Sequence, residues 1–100
     1  MRGAKAPKKG HAVSRVVTIV NRRGLHARAA ARFVACAERF DAEITVSKDQ
    51  TTVGATSIMG LMMLAAAPGS SIRICARGRE AAAALAALEE LVAGRFGEDQ

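Results

Sequence analysis

The apolar residues of this chain change their spacing along its length, and that change limits the possible folds more than any other feature. Val16-Val17-Thr18-Ile19-Val20 is short and β-branched throughout, which favours a strand. Asn21-Arg22-Arg23-Gly24 ends it with turn chemistry. From Ala27 to Phe40 the spacing becomes helical: Ala30, Phe33, Val34 and Ala37 share one stripe, while Arg28, Arg32 and Arg39 fall off it. Glu43 to Ser47 alternates with Ile44 and Val46 inward, Lys48-Asp49-Gln50 turns the chain, and a short strand follows near Thr51 to Ala55. Ser57 is placed to cap a short helix beginning at Ile58, and Pro68-Gly69 closes that segment. Ile72 to Arg77 alternates again. Glu80 to Ala93 sets Ala81, Leu85, Leu88 and Val92 on one face, and Gly94 stops it.

The resulting order, βαββαβα, predicts an α+β fold: a four-stranded antiparallel sheet, solvated on one face and covered on the other by three helices. One hundred residues are enough for a single core without metal or disulfide staples. Residues 1–14 lack any period and are expected to form a flexible basic leader, with one domain over 15–95 and a C-terminal tail over 96–100.

The net charge of +6 is concentrated at the start. Arg2, Lys5, Lys8, Lys9 and Arg15 have no acid among them, whereas the remainder is nearly neutral. A basic leader alone is a weak case for nucleic-acid binding. Aromatics make up 3% of the chain, with no Trp or Tyr, which argues against a stacking platform for single strands. Cys36 and Cys75 stand apart, without a CxxC pair or a His at ligand spacing, so no metal or cofactor is expected and both thiols read as packing residues in a reducing compartment. The longest apolar run, Ile58 to Ala67, is half a membrane span, and no signal-like segment follows the basic start. The expected location is the cytoplasm, with no membrane partner.

His26 is the residue best placed for chemistry. It stands between a Gly24-Leu25 turn and the first turn of a helix, where unpaired N–H groups and the helix dipole favour an anion. The same field disfavours imidazolium and leaves a ring nitrogen nucleophilic. Arg28, two residues on, carries a planar guanidinium suited to a phosphoryl group. The plain alternative is that His26 only caps the helix or packs at its edge.

Asn21-Arg22-Arg23-Gly24-Leu25-His26-Ala27-Arg28-Ala29-Ala30 resembles the active-site signature of the histidine-containing phosphocarrier family, the HPr family. Thr56-Ser57-Ile58-Met59-Gly60-Leu61-Met62 resembles its second signature, around a regulatory serine. The resemblance spans roughly residues 15–95 and implies that family's open-faced β-sandwich. It implies a stoichiometric carrier rather than an enzyme. His26 would accept a phosphoryl group on Nδ1 from phosphorylated enzyme I, charged by phosphoenolpyruvate, and pass it to an enzyme IIA-type acceptor. Arg28 would neutralise the phosphate, and Ser57 would be the target of HPr kinase/phosphorylase. One departure stands out: the family often has proline where this chain has Ala29, trading rigidity for a free N–H in the first turn. That exchange and Ile58-Met59-Gly60 lean toward the proteobacterial, nitrogen-type branch.

The second helix is apolar on nearly every side, and Ile58, Met59 and Met62 cannot all face a core that already takes Leu61 and Leu64. An exposed Met-rich patch adapts to several partners. It would bind enzyme I and the acceptor, with Arg22, Arg23, Arg28 and Arg32 steering acidic surfaces. The alternative, Met side chains filling a thin core, weighs most for Met63. A chain using this patch and Ser57 only to regulate other proteins, with His26 incidental, is the rival functional reading. A monomer is expected. His11 is given no role.

Overall fold

The computed structural model describes residues 12–99. The leader's Arg2, Lys5, Lys8, Lys9 and His11 lie outside the described residues. Four strands, β1 (Ala12–Thr18), β2 (Glu43–Lys48), β3 (Thr51–Gly54) and β4 (Ser71–Arg77), form one sheet in the order β1-β4-β2-β3. Every pairing is antiparallel. Helices α1 (Ala27–Ala37), α2 (Ile58–Met63) and α3 (Ala81–Ala93) complete the βαββαβα order.

The alternation in β4 does what its sequence requires. Ile72, Ile74 and Ala76 point into the core while Ser71, Arg73 and Arg77 face solvent. Across the ladder, Ile44 pairs with Ala76 and Val46 with Ile74, so the inward residues of β2 and β4 form one apolar layer. The α1 stripe of Ala30, Phe33, Val34 and Ala37 is buried against it, as are Ala81, Leu85, Leu88 and Val92 of α3. Each large side chain so removed from water contributes about 1.5–3 kcal/mol. Cys36 is buried and Cys75 half-buried, and both are free thiols. No helix among the described residues is long and apolar enough to cross a membrane.

The element ends depart from expectation in ways that have local causes. β1 begins at Ala12, inside the expected leader, because Ala12, Val13 and Ser14 pair with Arg77, Ala76 and Cys75. Backbone ladder bonds at a sheet edge need no side-chain pattern, so nothing in the sequence announced them. The strand stops at Thr18 instead of Val20, although Ile19 still exchanges backbone bonds with the 69–70 turn. Helix α1 ends at Ala37, after which Arg39 and Phe40 bond back to Cys36 and Ala37 in tighter turns. At the other end, the expected tail is part of the fold: Phe96 is fully buried.

Candidate functional site

The loop before α1 is built by two residues that exclude alternatives. Asn21 is wholly buried, and its Nδ2 donates to the Gly24 carbonyl at 2.8 Å, closing the loop and leaving Arg22 and Arg23 exposed. Gly24 has φ +69°, and a Cβ on it would sit 2.6 Å from the Ala66 carbonyl oxygen. Only glycine meets both conditions. Leu25 is buried and donates its N–H to that same Ala66 carbonyl at 3.0 Å. The loop is thereby pinned to the segment that follows α2.

His26 comes next, at the N-cap position of α1, with extended backbone angles. Its carbonyl accepts the first helical bond, from Ala30 at 2.8 Å, so the N–H groups of Ala27, Arg28 and Ala29 precede the internal ladder. Its side chain makes no capping bond. Instead Nε2 lies 2.5 Å from Oε2 of Glu98. The other oxygen of Glu98 accepts from Asn21 Nδ2 at 3.0 Å. One buried amide therefore holds both the turn before His26 and the carboxylate beside it. The Asn21 hydrogen bond holds Glu98 below the ordinary glutamate pKa, opposed by partial burial and assisted by His26 and Arg23.

Glu98 reaches this position through an unusual turn. Arg95, Phe96 and Gly97 have φ of +59°, +54° and +79°, three left-handed residues in succession. For non-glycine residues that conformation costs roughly 1–2 kcal/mol each. The buried Phe96 ring offsets the cost, and Arg32 Nη1 donates to the Phe96 carbonyl. Arg32, expected as a guide for partners, is exposed and also tethers the C-terminal turn.

A cleft of about 490 Å³ opens beside this cluster, lined by Arg22, Arg23, Arg28, Arg32, Gly97, Glu98 and Asp99. Arg28 is exposed on the first turn of α1. No group of three or more His, Cys, Asp or Glu among the described residues could hold a metal ion.

Helix α2 lies against α1 and β3. Ser57 caps it, its Oγ accepting the Gly60 N–H at 2.9 Å. A Cβ on Gly60 would approach Ser57 Oγ to 3.0 Å and Val53 Cβ to 3.1 Å, so the glycine lets the cap and the strand close together. Leu61 and Leu64 take the core. Ile58 and Met62 are 40% exposed, Met59 70% and Met63 75%, which argues against the thin-core alternative for the three Met side chains.

The family profile described as the PTS HPr component phosphorylation site matches residues 13–94. The chain belongs to the HPr family. The HPr phosphocarrier of Neisseria meningitidis is 45% identical over 84 residues, covering 84% of this chain and 94% of that protein. The NPr phosphocarrier of Shewanella violacea is 43% identical over 86 residues, covering 86% and 94%, consistent with the proteobacterial, nitrogen-type lean. A solved HPr from Thermoanaerobacter tengcongensis superposes with a TM-score of 0.84 at 40% identity, covering 88% of this chain and 99% of that one. An HPr dimer from the same organism matches with a TM-score of 0.70 at 37% identity, over 98% and 100% of the two chains. Membership in this family makes the chain a phosphocarrier of the phosphotransferase system, and the open-faced sandwich is shared with these structures.

Within that family frame the Ala29 departure is accommodated without distortion: Ala29 is helical and fully buried. Sequence reasoning missed Asn21, Phe96 and Glu98. In the sequence Asn21 reads as ordinary turn chemistry. Its signal would have been that one turn residue bears the whole loop, and no spacing rule carries that. Glu98 and Phe96 lie in a stretch without period, which reads as a tail.

Proposed function

We propose that His26 carries the phosphoryl group. Its Nδ1 accepts phosphate from the phosphorylated enzyme I of a phosphoenolpyruvate-dependent phosphotransferase system and yields it to an enzyme IIA-type acceptor in the cytoplasm. One observation carries this reading: a histidine at a helix start, free of any capping duty, beside an arginine-lined cleft. Three first-turn N–H groups and the Arg28 guanidinium supply donors for a phosphoryl oxygen. The helix start contributes a few tenths to about 1 kcal/mol, enough to bias exchange without trapping the phosphate.

Ile58, Met59 and Met62 supply the apolar docking area, with Arg22 and Arg23 steering acidic partner surfaces. Ser57, at the cap of that same helix, is the regulatory site for HPr kinase/phosphorylase. A phosphate there adds about two negative charges at the docking patch while still being accommodated by the helix start.

The decisive experiment incubates the chain with enzyme I and phosphoenolpyruvate. An acid-labile, alkali-stable phosphate should form on the wild-type chain and not on His26→Ala. Label on another side chain, or none, rejects the proposal. Sedimentation of the unmodified chain, expected as a monomer, tests whether a second copy takes part.

A further inference from the structure

Resting on the phosphocarrier reading, we infer that Glu98 is a positioning residue that holds the His26 ring with its proton on Nε2, so that Nδ1 presents the attacking lone pair. The inference begins with the geometry. His26 Nε2 and Glu98 Oε2 are 2.5 Å apart, and the side chains are 24% and 12% exposed, so little water competes for the contact. An ionised carboxylate can only accept. In the neutral ring the proton of this pair therefore resides on Nε2 and the unshared electrons on Nδ1.

The carboxylate is itself held in place. Asn21 Nδ2, on a fully buried residue, donates to Oε1 at 3.0 Å. The left-handed turn over Arg95 to Gly97, anchored by the Phe96 ring and by Arg32, brings Glu98 back to the start of α1. A flexible surface glutamate would not have such support, and the arrangement resembles the logic by which a carboxylate orients a histidine base.

The transfer step balances on these atoms. The Nδ1 lone pair forms the new N–P bond as the bond between phosphorus and the donor breaks, its electron pair returning to the donor. The Nε2 proton does not leave. Positive charge then develops on the His26 ring, and Glu98 lies against the edge where it develops.

The test uses the full chain carrying His11→Gln, so that one imidazole remains, with ¹⁵N-labelled histidine. In this background the neutral ring should show a protonated Nε2 and an unprotonated Nδ1. Glu98→Gln and Glu98→Ala should mix the two tautomers. Phosphate uptake from enzyme I should fall on the order of tenfold in turnover with little change in KM. Glu98→Asp, which keeps the carboxylate, should recover part of the rate. Unchanged ring spectra together with uptake within about twofold of wild type would overturn the inference. Absence of phosphate on the wild-type chain would instead reject the phosphocarrier reading, while the ring spectra would still decide what Glu98 does.

Discussion

His26 and Glu98 are 72 positions apart in the chain, yet their side chains meet at 2.5 Å. Closing that contact requires the turn over Arg95 to Gly97 to fold back over the start of α1. The proposed phosphoryl site is thus assembled from both ends of the domain, which would couple its chemistry to the stability of the C-terminal turn.

Removing the anchor of that turn should separate the two. Phe96 is fully buried, so Phe96→Ala is expected to cost about 3–5 kcal/mol in urea unfolding. It should also lower phosphate uptake, because Glu98 loses its placement. A stability loss of that size with uptake unchanged at temperatures where the variant is folded would show that the turn does not serve the site.

Glu98 should make part of the stability depend on pH. Its folded pKa lies below the ordinary value of 4.5, so the unfolded chain binds the proton more readily. The contribution is therefore present above 4.5 and is lost as pH falls through the folded value. The stability difference between wild type and Glu98→Gln, measured by denaturant titration, should hold at neutral pH and close in acid. A difference that grew on acidification would contradict this sign.

Gly24 has no substitute. Alanine there would combine φ +69° with a contact of 2.6 Å to a backbone carbonyl. Gly24→Ala should destabilise by about 3 kcal/mol or more and expose the loop before α1 to hydrogen exchange. A loss below about 1 kcal/mol would mean that the two loops can part at little cost.

Ser57 allows cap and regulation to be told apart. Ser57→Ala should cost about 1 kcal/mol through loss of the bond from Gly60. Ser57→Asp keeps an acceptor at the cap and should preserve the fold while slowing phosphate acceptance from enzyme I. Equal acceptance rates would remove the regulatory reading.

The proposed docking patch makes a contrasting prediction. Met59 is 70% exposed, so Met59→Glu should alter stability by less than about 0.5 kcal/mol. Its affinity for enzyme I should nevertheless fall about tenfold or more, measurable by calorimetry. Unchanged affinity would place the interface elsewhere.

Much of this molecule was legible from residue order because burial is periodic. The two-residue period of Ile72, Ile74 and Ala76 and the helical stripes of α1 and α3 each describe one buried face, and a face is a local property. Ser57 as a cap and His26 at a helix start were readable for the same reason, since capping involves only neighbours a few residues away. Strand ends at the sheet edge were not, because Ala12 to Ser14 are held by backbone bonds indifferent to side-chain type.

The amino-acid order alone determined the elements, their sequence along the chain, the apolar layer and the histidine that begins α1. Tertiary structure alone decided what lies against that histidine. The stretch Arg95-Phe96-Gly97-Glu98 has no period to read, and its left-handed backbone is tolerable only because a ring is buried in a core built by distant segments. Asn21 likewise becomes a bridge only once Gly24 and Glu98 stand on either side of its amide. Contacts of this kind join residues far apart in the chain, and no local pattern encodes them.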